Sequence, residues 1–253
     1  MFDSHCHLQD KRIYGCLDGI INSARRAGVG RMLCCGSDAA DWADVARAGA
    51  AYEEVLCAYG VHPWYVNDVN DDWIPLLERY LAEDKTAAVG EIGLDHAVGP
   101  RNDAVQADIF CRQLEIARRY RRPVSIHCRK AWGGLLPILR DMGGLPHGGA
   151  IHSYSGPPDL VRELEKLGCC ISFSGSILIP GNKRALNALK EVSPDRLLVE
   201  TDSPDILPAG AAGPHNEPAN LLMVIGKISE ILGEPPEKIA RLTYDNACRV
   251  FCG

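Results

Sequence analysis

Short apolar runs alternate along the chain with longer stretches in which apolar residues recur at spacings of three and four. The first pattern is typical of buried β-strands and the second of amphipathic α-helices. Strands are predicted at 2–8, 31–36, 55–62, 86–92, 123–128, 148–153, 168–174 and 196–202. Helices are predicted at about 13–27, 39–52, 72–84, 103–121, 131–142, 157–167 and 181–191 and, after a loop at 203–217, at 218–232 and 236–250.

Strands that alternate regularly with helices predict an α/β fold with a parallel sheet. For a chain of 253 residues, the closed (β/α)8 barrel, or TIM barrel, fits best, and an open doubly wound sheet is the alternative. The sequence contains no internal repeat, low-complexity tract or linker. The piece 208–214, rich in Gly, Pro and Ala, resembles a loop, so a single domain over residues 1–253 is predicted.

The composition is that of an ordinary globular protein, with 46% apolar and 24% charged residues. The formal net charge of -6 excludes a broad basic surface for a long polyanion, so any contact with nucleic acid is expected to be local and assisted by metal. The eleven cysteines include Cys34-Cys35 and Cys169-Cys170 in predicted strands and form no Cys-x-x-Cys motif. They are therefore expected to be reduced thiols of the core.

The first residues lack the basic and then apolar segments of a signal peptide, and no apolar run reaches the ~20 residues that cross a bilayer. A cytoplasmic protein without membrane contact is therefore expected. No obligate protein partner is evident from the sequence.

His5 and His7 stand two residues apart in the first predicted strand. Successive side chains of a strand point to opposite faces, so both imidazoles are expected on one face and Cys6 on the other. Further histidines and acids occupy the ends of other predicted strands, at His62, Glu91, His127, His152 and Asp202. In a (β/α)8 barrel these ends meet at one mouth, where the active site lies.

Imidazole and carboxylate donors without cysteine suit a divalent ion such as Mg, Mn or Zn. The predicted ligands are His5, His7, Glu91, His127, His152 and Asp202, which are more donors than one tetrahedral ion needs. Two ions are therefore predicted, with Glu91 as the bridging carboxylate. Such a pair activates a water molecule, so metal-assisted hydrolysis is expected, and Asp202 is the candidate to accept the proton of that water.

Other polar residues near the strand ends are assigned supporting roles. His62 precedes Pro63 and Trp64, and it is either a histidine packed at a turn or a substrate contact. Glu200 shares a face with Asp202 and is expected to orient a ligand rather than bind metal. Arg129, Lys130 and Arg101 follow strand ends and are candidate phosphate contacts. The arginines within 118–122 precede a strand, so they are expected at the opposite end of the barrel.

Several blocks of the chain resemble, in the same order, those of the TatD family of metal-dependent deoxyribonucleases. These blocks are His5-Cys6-His7, Gly60-Val61-His62-Pro63, Gly90-Glu91-Ile92-Gly93-Leu94-Asp95, Pro123-Val124-Ser125-Ile126-His127-Cys128-Arg129, His152-Ser153-Tyr154-Ser155-Gly156, Glu200-Thr201-Asp202-Ser203-Pro204 and Asn216-Glu217-Pro218. They extend over nearly the whole chain, so the resemblance is specific.

The resemblance implies a TIM barrel of the amidohydrolase type that binds divalent metals at the six predicted ligands. It also implies hydrolysis of phosphodiester bonds in DNA, as a 3'–5' exonuclease that acts on single strands or DNA ends. His96, Asp205 and His215 depart from residues common in the family, and these changes bear on the substrate. A D-aminoacyl-tRNA deacylase and a small-molecule ester or amide hydrolase remain alternatives, because the same metal chemistry attacks carbonyl carbon.

Overall fold

Eight parallel strands form one sheet in chain order within residues 1–70, 72–99 and 101–253, which are the residues that the computed structural model describes. The strands are β1 (Phe2–Cys6), β2 (Arg31–Cys35), β3 (Val55–Tyr59), β4 (Ala88–Asp95), β5 (Val124–Arg129), β6 (Gly149–Ile151), β7 (Cys169–Phe173) and β8 (Leu197–Val199). Each pairs in parallel with the next.

Helices follow the strands and cover the outside of the sheet. They are α1 (Leu17–Arg26), α2 (Trp42–Ala51), α3 (Trp73–Glu83), α4 (Asp103–Tyr120), α5 (Trp132–Asp141), α6 (Val161–Lys166), α7 (Lys183–Glu191), α8 (Leu221–Leu232) and α9 (Pro236–Phe251). In α1, for example, Leu17, Ile20, Ile21 and Ala24 are buried. This spacing of three and four places one apolar stripe against the sheet.

The segment after β8 hydrogen-bonds to β1, and this contact closes the sheet into a barrel. The amide of Asp202 donates to the carbonyl of His5 at 3.0 Å, and the amide of His7 donates to the carbonyl of Ser203 at 2.6 Å. The buried carboxylate of Asp3 accepts from the Thr201 amide at 2.9 Å and from its hydroxyl at 2.5 Å. The predicted (β/α)8 barrel is therefore confirmed, and the open sheet is excluded.

Small and apolar side chains fill the barrel below its mouth. This cluster consists of Phe2, Leu33, Cys35, Leu56, Ala58, Ala88, Ala150, Cys170 and Leu198, together with Ala247 and Phe251 of α9. The rings of Phe2 and Phe251 have centroids 6.3 Å apart. Because Phe2 begins β1, α9 covers the N-terminal end of the barrel, and the opposite end remains open for the site.

The observed elements agree with the predicted ones except at some boundaries. The predicted strands 2–8, 55–62, 148–153 and 196–202 end earlier in the structure, whereas β4 continues to Asp95. Asp202 shows one physical reason, since its φ of 60° takes the backbone out of the extended conformation. His7, His62, His152 and Asp202 thus lie in the first residues of loops rather than in strands.

The cysteines are free thiols among the described residues. Cys34, Cys35, Cys169 and Cys170 are buried as expected, whereas Cys16 and Cys252 are exposed and correct the expectation that the thiols belong to the core. Every helix within the described ranges is too short or too polar to cross a lipid bilayer.

We expect Gly93→Ala to destabilise the protein by about 1–3 kcal/mol or more, because the new methyl group overpacks a full site. Gly93 has a φ of 145°, and an added Cβ would collide with the backbone carbonyl of His127 on β5. Equilibrium unfolding in urea measures the change.

Gly226→Ala is the matched control. Gly226 is exposed in α8, with no described atom within 4 Å of an added Cβ. Alanine should therefore stabilise this helix by about 0.5–1 kcal/mol. Equal effects of the two substitutions would contradict the close approach of β4 to β5.

Candidate metal centre

A cavity of about 760 Å³ lies at the mouth where the strands end. Its lining includes His7, His62, Glu91, His127, Arg129, His152 and Asp202. His5 lies beneath it and is fully buried. The seven predicted mouth residues, which come from six strand ends, are therefore brought to one place, as the barrel geometry requires.

The two histidines of the first strand project together. Their Nε2 atoms are 3.2 Å apart, while Cys6 packs among the outer core residues. His5 also stacks on His152, with ring centroids 4.0 Å apart and planes at 16°. The alternation of β1 continues into His7, the first residue after the strand, and so directs both imidazoles inward, next to the histidine that follows β6.

Glu91 occupies the centre of the cluster and divides its two oxygens between different neighbours. Its Oε2 lies 3.4 Å from Nε2 of His5 and 3.3 Å from Nε2 of His7. Its Oε1 lies 2.8 Å from Nδ1 of His127 and 2.9 Å from Nε2 of His152. One carboxylate therefore faces two separate groups of nitrogen donors.

Asp202 completes the first of these groups. Its Oδ1 is 3.6 Å from Nε2 of His7 and 3.8 Å from Nε2 of His5. On the other side, Nε2 of His62 lies 3.5 Å from Oε1 of Glu91. Among the residues that the structure describes, three sets have donor atoms within 4.8 Å of one another, namely His5-His7-Asp202, His5-Glu91-His152 and His62-Glu91-His127.

Four of these imidazoles are also held through their second ring nitrogen. The contacts are His5 Nδ1 to Ser125 Oγ at 2.8 Å, His7 Nδ1 to the Cys35 carbonyl at 2.8 Å, His127 Nε2 to Asp95 Oδ2 at 3.1 Å and His152 Nδ1 to Glu200 Oε1 at 3.2 Å. Metal-binding histidines are oriented in this way by carboxylates, carbonyls and hydroxyls around them. With oxygen and imidazole donors only, the cluster fits divalent ions.

The cluster keeps its carboxylates ionised although they are buried. Burial alone would raise the pKa of Glu91, but the imidazoles around it, led by His152 and His62, lower that pKa well below its usual value. Burial is likewise outweighed at Asp202, where His7 and then His152 lower the pKa to about 2. Both side chains therefore carry a negative charge at neutral pH, as metal ligands must.

The pKa values of two histidines of the cluster, His62 and His7, are shifted in opposite directions. Burial lowers the pKa of His62 to about 3, so this ring is neutral. Burial would also lower the pKa of His7, but its contacts with Asp202 and Glu91 raise the pKa well above the usual value. The site thus contains a positively charged imidazole next to negatively charged carboxylates. A bound cation would change the protonation of that imidazole.

A family model described as TatD related DNase matches residues 2–252. The chain belongs to the TatD family. This membership confirms the resemblance that the sequence blocks indicated.

Relatives and solved structures agree with TatD membership over the full length. The chain is 30% identical over 251 residues to YabD of Bacillus subtilis, called an uncharacterized metal-dependent hydrolase, covering 99% of this chain and 98% of YabD. It is also 30% identical over 256 residues to a 3'-5' ssDNA/RNA exonuclease TatD of Cronobacter sakazakii. That match covers 99% of this chain and 97% of the relative. The crystal structure of YjjV, a TatD homolog from Escherichia coli K12, superimposes on this structure with a TM-score of 0.95 at 29% sequence identity. The match covers 100% of this chain and 98% of YjjV. The protein is a metal-dependent hydrolase of the TatD family.

The three basic residues that the sequence suggested as phosphate contacts lie in different surroundings in this TatD barrel. Arg129 lines the cavity. Of the residues described, Lys130 and Arg101 are not part of that lining, and Nε of Arg101 donates to Asp103 at 2.5 Å. The geometry therefore brings only Arg129 of these three to the mouth.

Arginines at the other end of the barrel donate hydrogen bonds to backbone carbonyls. Arg118 donates to the carbonyls of Met142 and Gly144, and Arg122 donates to those of Leu81 and Asp84. These arginines lie beside the starts of β5 and β6, far along the strands from the cavity. Their contacts are structural.

Sequence reasoning missed three residues at the mouth. Asp95 binds His127, and the indole of Trp64 donates to Asp95 at 2.9 Å. Arg12 donates to Asp10 and Asp205, each at 2.7 Å, and so connects the loops after β1 and β8. Asp95 could have been found, because it lies on the face of Glu91 by the period of two. The other contacts join residues distant in sequence.

Glu200 supplies a test of how the histidines are oriented. Its Oε1 binds His152 Nδ1 and accepts the Ser153 amide at 2.7 Å, and it is fully buried. We expect Glu200→Ala to weaken metal binding by about 10–100-fold, because His152 loses the group that fixes its ring. Titration calorimetry of the metal-free protein with Mn or Zn measures this.

Glu200→Gln keeps an acceptor oxygen and should retain most of the metal affinity. Glu230→Ala, an exposed position on α8, is the surface control. Unchanged metal affinity in Glu200→Ala would show that His152 needs no such support.

Proposed function

We propose that this TatD-family hydrolase cleaves phosphodiester bonds of DNA as a 3'–5' exonuclease that acts on single strands or strand ends. The observation that carries the chemistry is the position of Glu91, whose two oxygens face separate groups of histidines. The choice of DNA is supported by the family model and by the name of the Cronobacter relative.

Two divalent ions, Mg, Mn or Zn, are the proposed cofactors. One would be held by His5, His7 and Asp202 and the other by His127 and His152, with Glu91 shared between them. When bound, such ions polarise the phosphate and lower the pKa of a water molecule. His62 lies beside the second group and is proposed as a substrate contact rather than a ligand.

Asp202 is the proposed proton acceptor. It is nearly buried, lines the cavity and is a carboxylate at neutral pH. Its φ of 60° turns the backbone just after β8, and the amide of Asp205 donates to its carbonyl at 2.8 Å. One Asp202 oxygen remains near His7, and the carboxylate can take the proton of the attacking water.

Arg129 is the proposed phosphate contact at the mouth. Lys11 and Arg12 also line the cavity, and the guanidinium of Arg12 is engaged by two carboxylates. With a net charge of -6, the protein offers no diffuse positive field, so one mouth cation should matter for an anionic substrate. Lys130 and Arg101, which lie outside the lining, should contribute less.

The function is tested by a metal-titrated assay of the purified protein on single-stranded DNA, an aminoacyl-tRNA and a simple aryl ester. We expect metal-dependent release of mononucleotides from the DNA. Asp202→Asn should lower kcat by far more than it raises KM, because an amide still offers an oxygen to a cation but accepts no proton. If the protein hydrolyses only the aminoacyl-tRNA or only the aryl ester, the nuclease proposal is refuted. The function would then be that of an aminoacyl-tRNA deacylase or of a small-molecule ester hydrolase.

We expect Arg129→Gln to reduce kcat/KM on DNA about tenfold or more, because a charge-assisted hydrogen bond to phosphate is lost. Hydrolysis rates at moderate salt measure the effect. A neutral aryl ester should be hydrolysed at the original rate.

Arg121→Gln is the matched control. Arg121 is exposed and belongs to the cluster at the opposite end of the barrel. A loss on DNA as large as that of Arg129→Gln would refute the assignment of Arg129, and full DNA activity of Arg129→Gln would leave phosphate binding to the metals.

A further inference from the structure

Trp64 is an unusually exposed tryptophan at the edge of the candidate metal centre. Trp64 is 51% exposed and lines the cavity. Trp42 and Trp73 are 0% and 4% exposed and pack in the core. A large aromatic ring left half exposed at the edge of a cavity is more informative than a single exposed apolar residue elsewhere on the surface.

The ring of Trp64 is held in place although it is exposed. Its indole N–H donates to Asp95 Oδ2 at 2.9 Å, and its amide donates to Nδ1 of His62 at 3.1 Å. The rings of His62 and Trp64 meet edge to face, with centroids 4.9 Å apart and planes at 85°. The two ring contacts hold the indole and the amide contact holds its backbone, so the ring is positioned without a ligand.

Asp95 is itself firmly placed. It is 1% exposed, and its Oδ1 accepts the Ala97 amide at 2.8 Å. Its Oδ2 is shared between the indole of Trp64 and Nε2 of His127, at 2.9 and 3.1 Å. One carboxylate therefore separates the indole from a proposed metal ligand, so the ring stands beside the reacting centre.

The exposed surface of Trp64 indicates which class of ligand it can bind. Because Asp95 takes the indole N–H, Trp64 offers the cavity a rigid π-surface and no hydrogen-bond donor. Such a surface binds a planar ring by stacking, and it does so with little loss of side-chain freedom. In a nucleic acid the matching group is a nucleobase, and every base has a π-face.

We infer that Trp64 is the stacking surface for a nucleobase next to the scissile phosphate, a role that rests on the proposed nuclease function. The site then recognises two parts of one nucleotide unit. Arg129 contacts the phosphate and Trp64 contacts the base. Stacking is tolerant of base identity, so the enzyme binds base-containing strands more tightly than abasic strands and shows little sequence preference.

The test compares a single-stranded oligonucleotide with one of the same length that carries abasic residues at its 3' end. In Trp64→Ala, KM for the base-containing strand should rise about tenfold while kcat changes little, since stacking on an aromatic ring is worth about a tenfold change in affinity or more. Hydrolysis of the abasic strand should be unaffected. Trp64→Phe, which keeps a ring, should retain most of the affinity.

Leu222→Ala is the control, because Leu222 on α8 is also 51% exposed and lies outside the cavity lining. It should behave like the unmodified protein on both strands. Equal losses on the two strands in Trp64→Ala would overturn the stacking role, and so would an unchanged KM on both.

A binding measurement separates this inference from the nuclease function. Tryptophan fluorescence of the protein in chelator should be quenched by dTMP and not by deoxyribose 5-phosphate, and the quenching should disappear in Trp64→Phe. If the protein hydrolyses no phosphodiester, the nuclease proposal fails, yet base-dependent quenching still supports the stacking surface. Absence of quenching by dTMP overturns it.

Discussion

The burial of one negative charge, that of Glu91, among imidazoles is the constraint on which the site depends. An isolated carboxylate would be expensive to bury, and the nearby imidazoles compensate for it. Those imidazoles must in turn be held, because a ring free to rotate would leave the charge uncompensated. Ser125, Cys35, Asp95 and Glu200 hold them from behind. The protein therefore builds two concentric layers of polar groups around a single carboxylate.

The barrel makes this arrangement possible because it brings groups from six strand ends to one place. The register of β4 against β5 sets Gly93 beside His127, and that close approach requires a residue without a side chain. The contact of Asp3 with Thr201 at the seam fixes β1 relative to the segment that carries Asp202. Precision at the metal centre is thus a property of backbone packing as much as of the ligands.

Much of the fold could be predicted because it depends on periodicities that are local in sequence. The spacing of His5 and His7 predicts their common face, and the alternation of runs predicts a parallel α/β fold, for which the chain length favours the barrel. The strand ends were less predictable, since residues such as Asp202 leave the extended conformation through contacts made elsewhere. The link from Trp64 through Asp95 to His127, and the pairing of Arg12 with Asp205, join residues far apart in the chain. No local pattern reports such contacts.

The packing of α9 against the first strand bears on how the protein is synthesised. Phe2 begins β1 and is synthesised before the other seven strands, whereas its neighbour Phe251 ends α9, which follows β8. The N-terminal end of the barrel is therefore not covered, and its apolar interior stays accessible to water, until α9 has been synthesised. Contacts of such high sequence separation form late and slowly. The nascent chain must consequently remain unaggregated from the synthesis of β1 until that of α9.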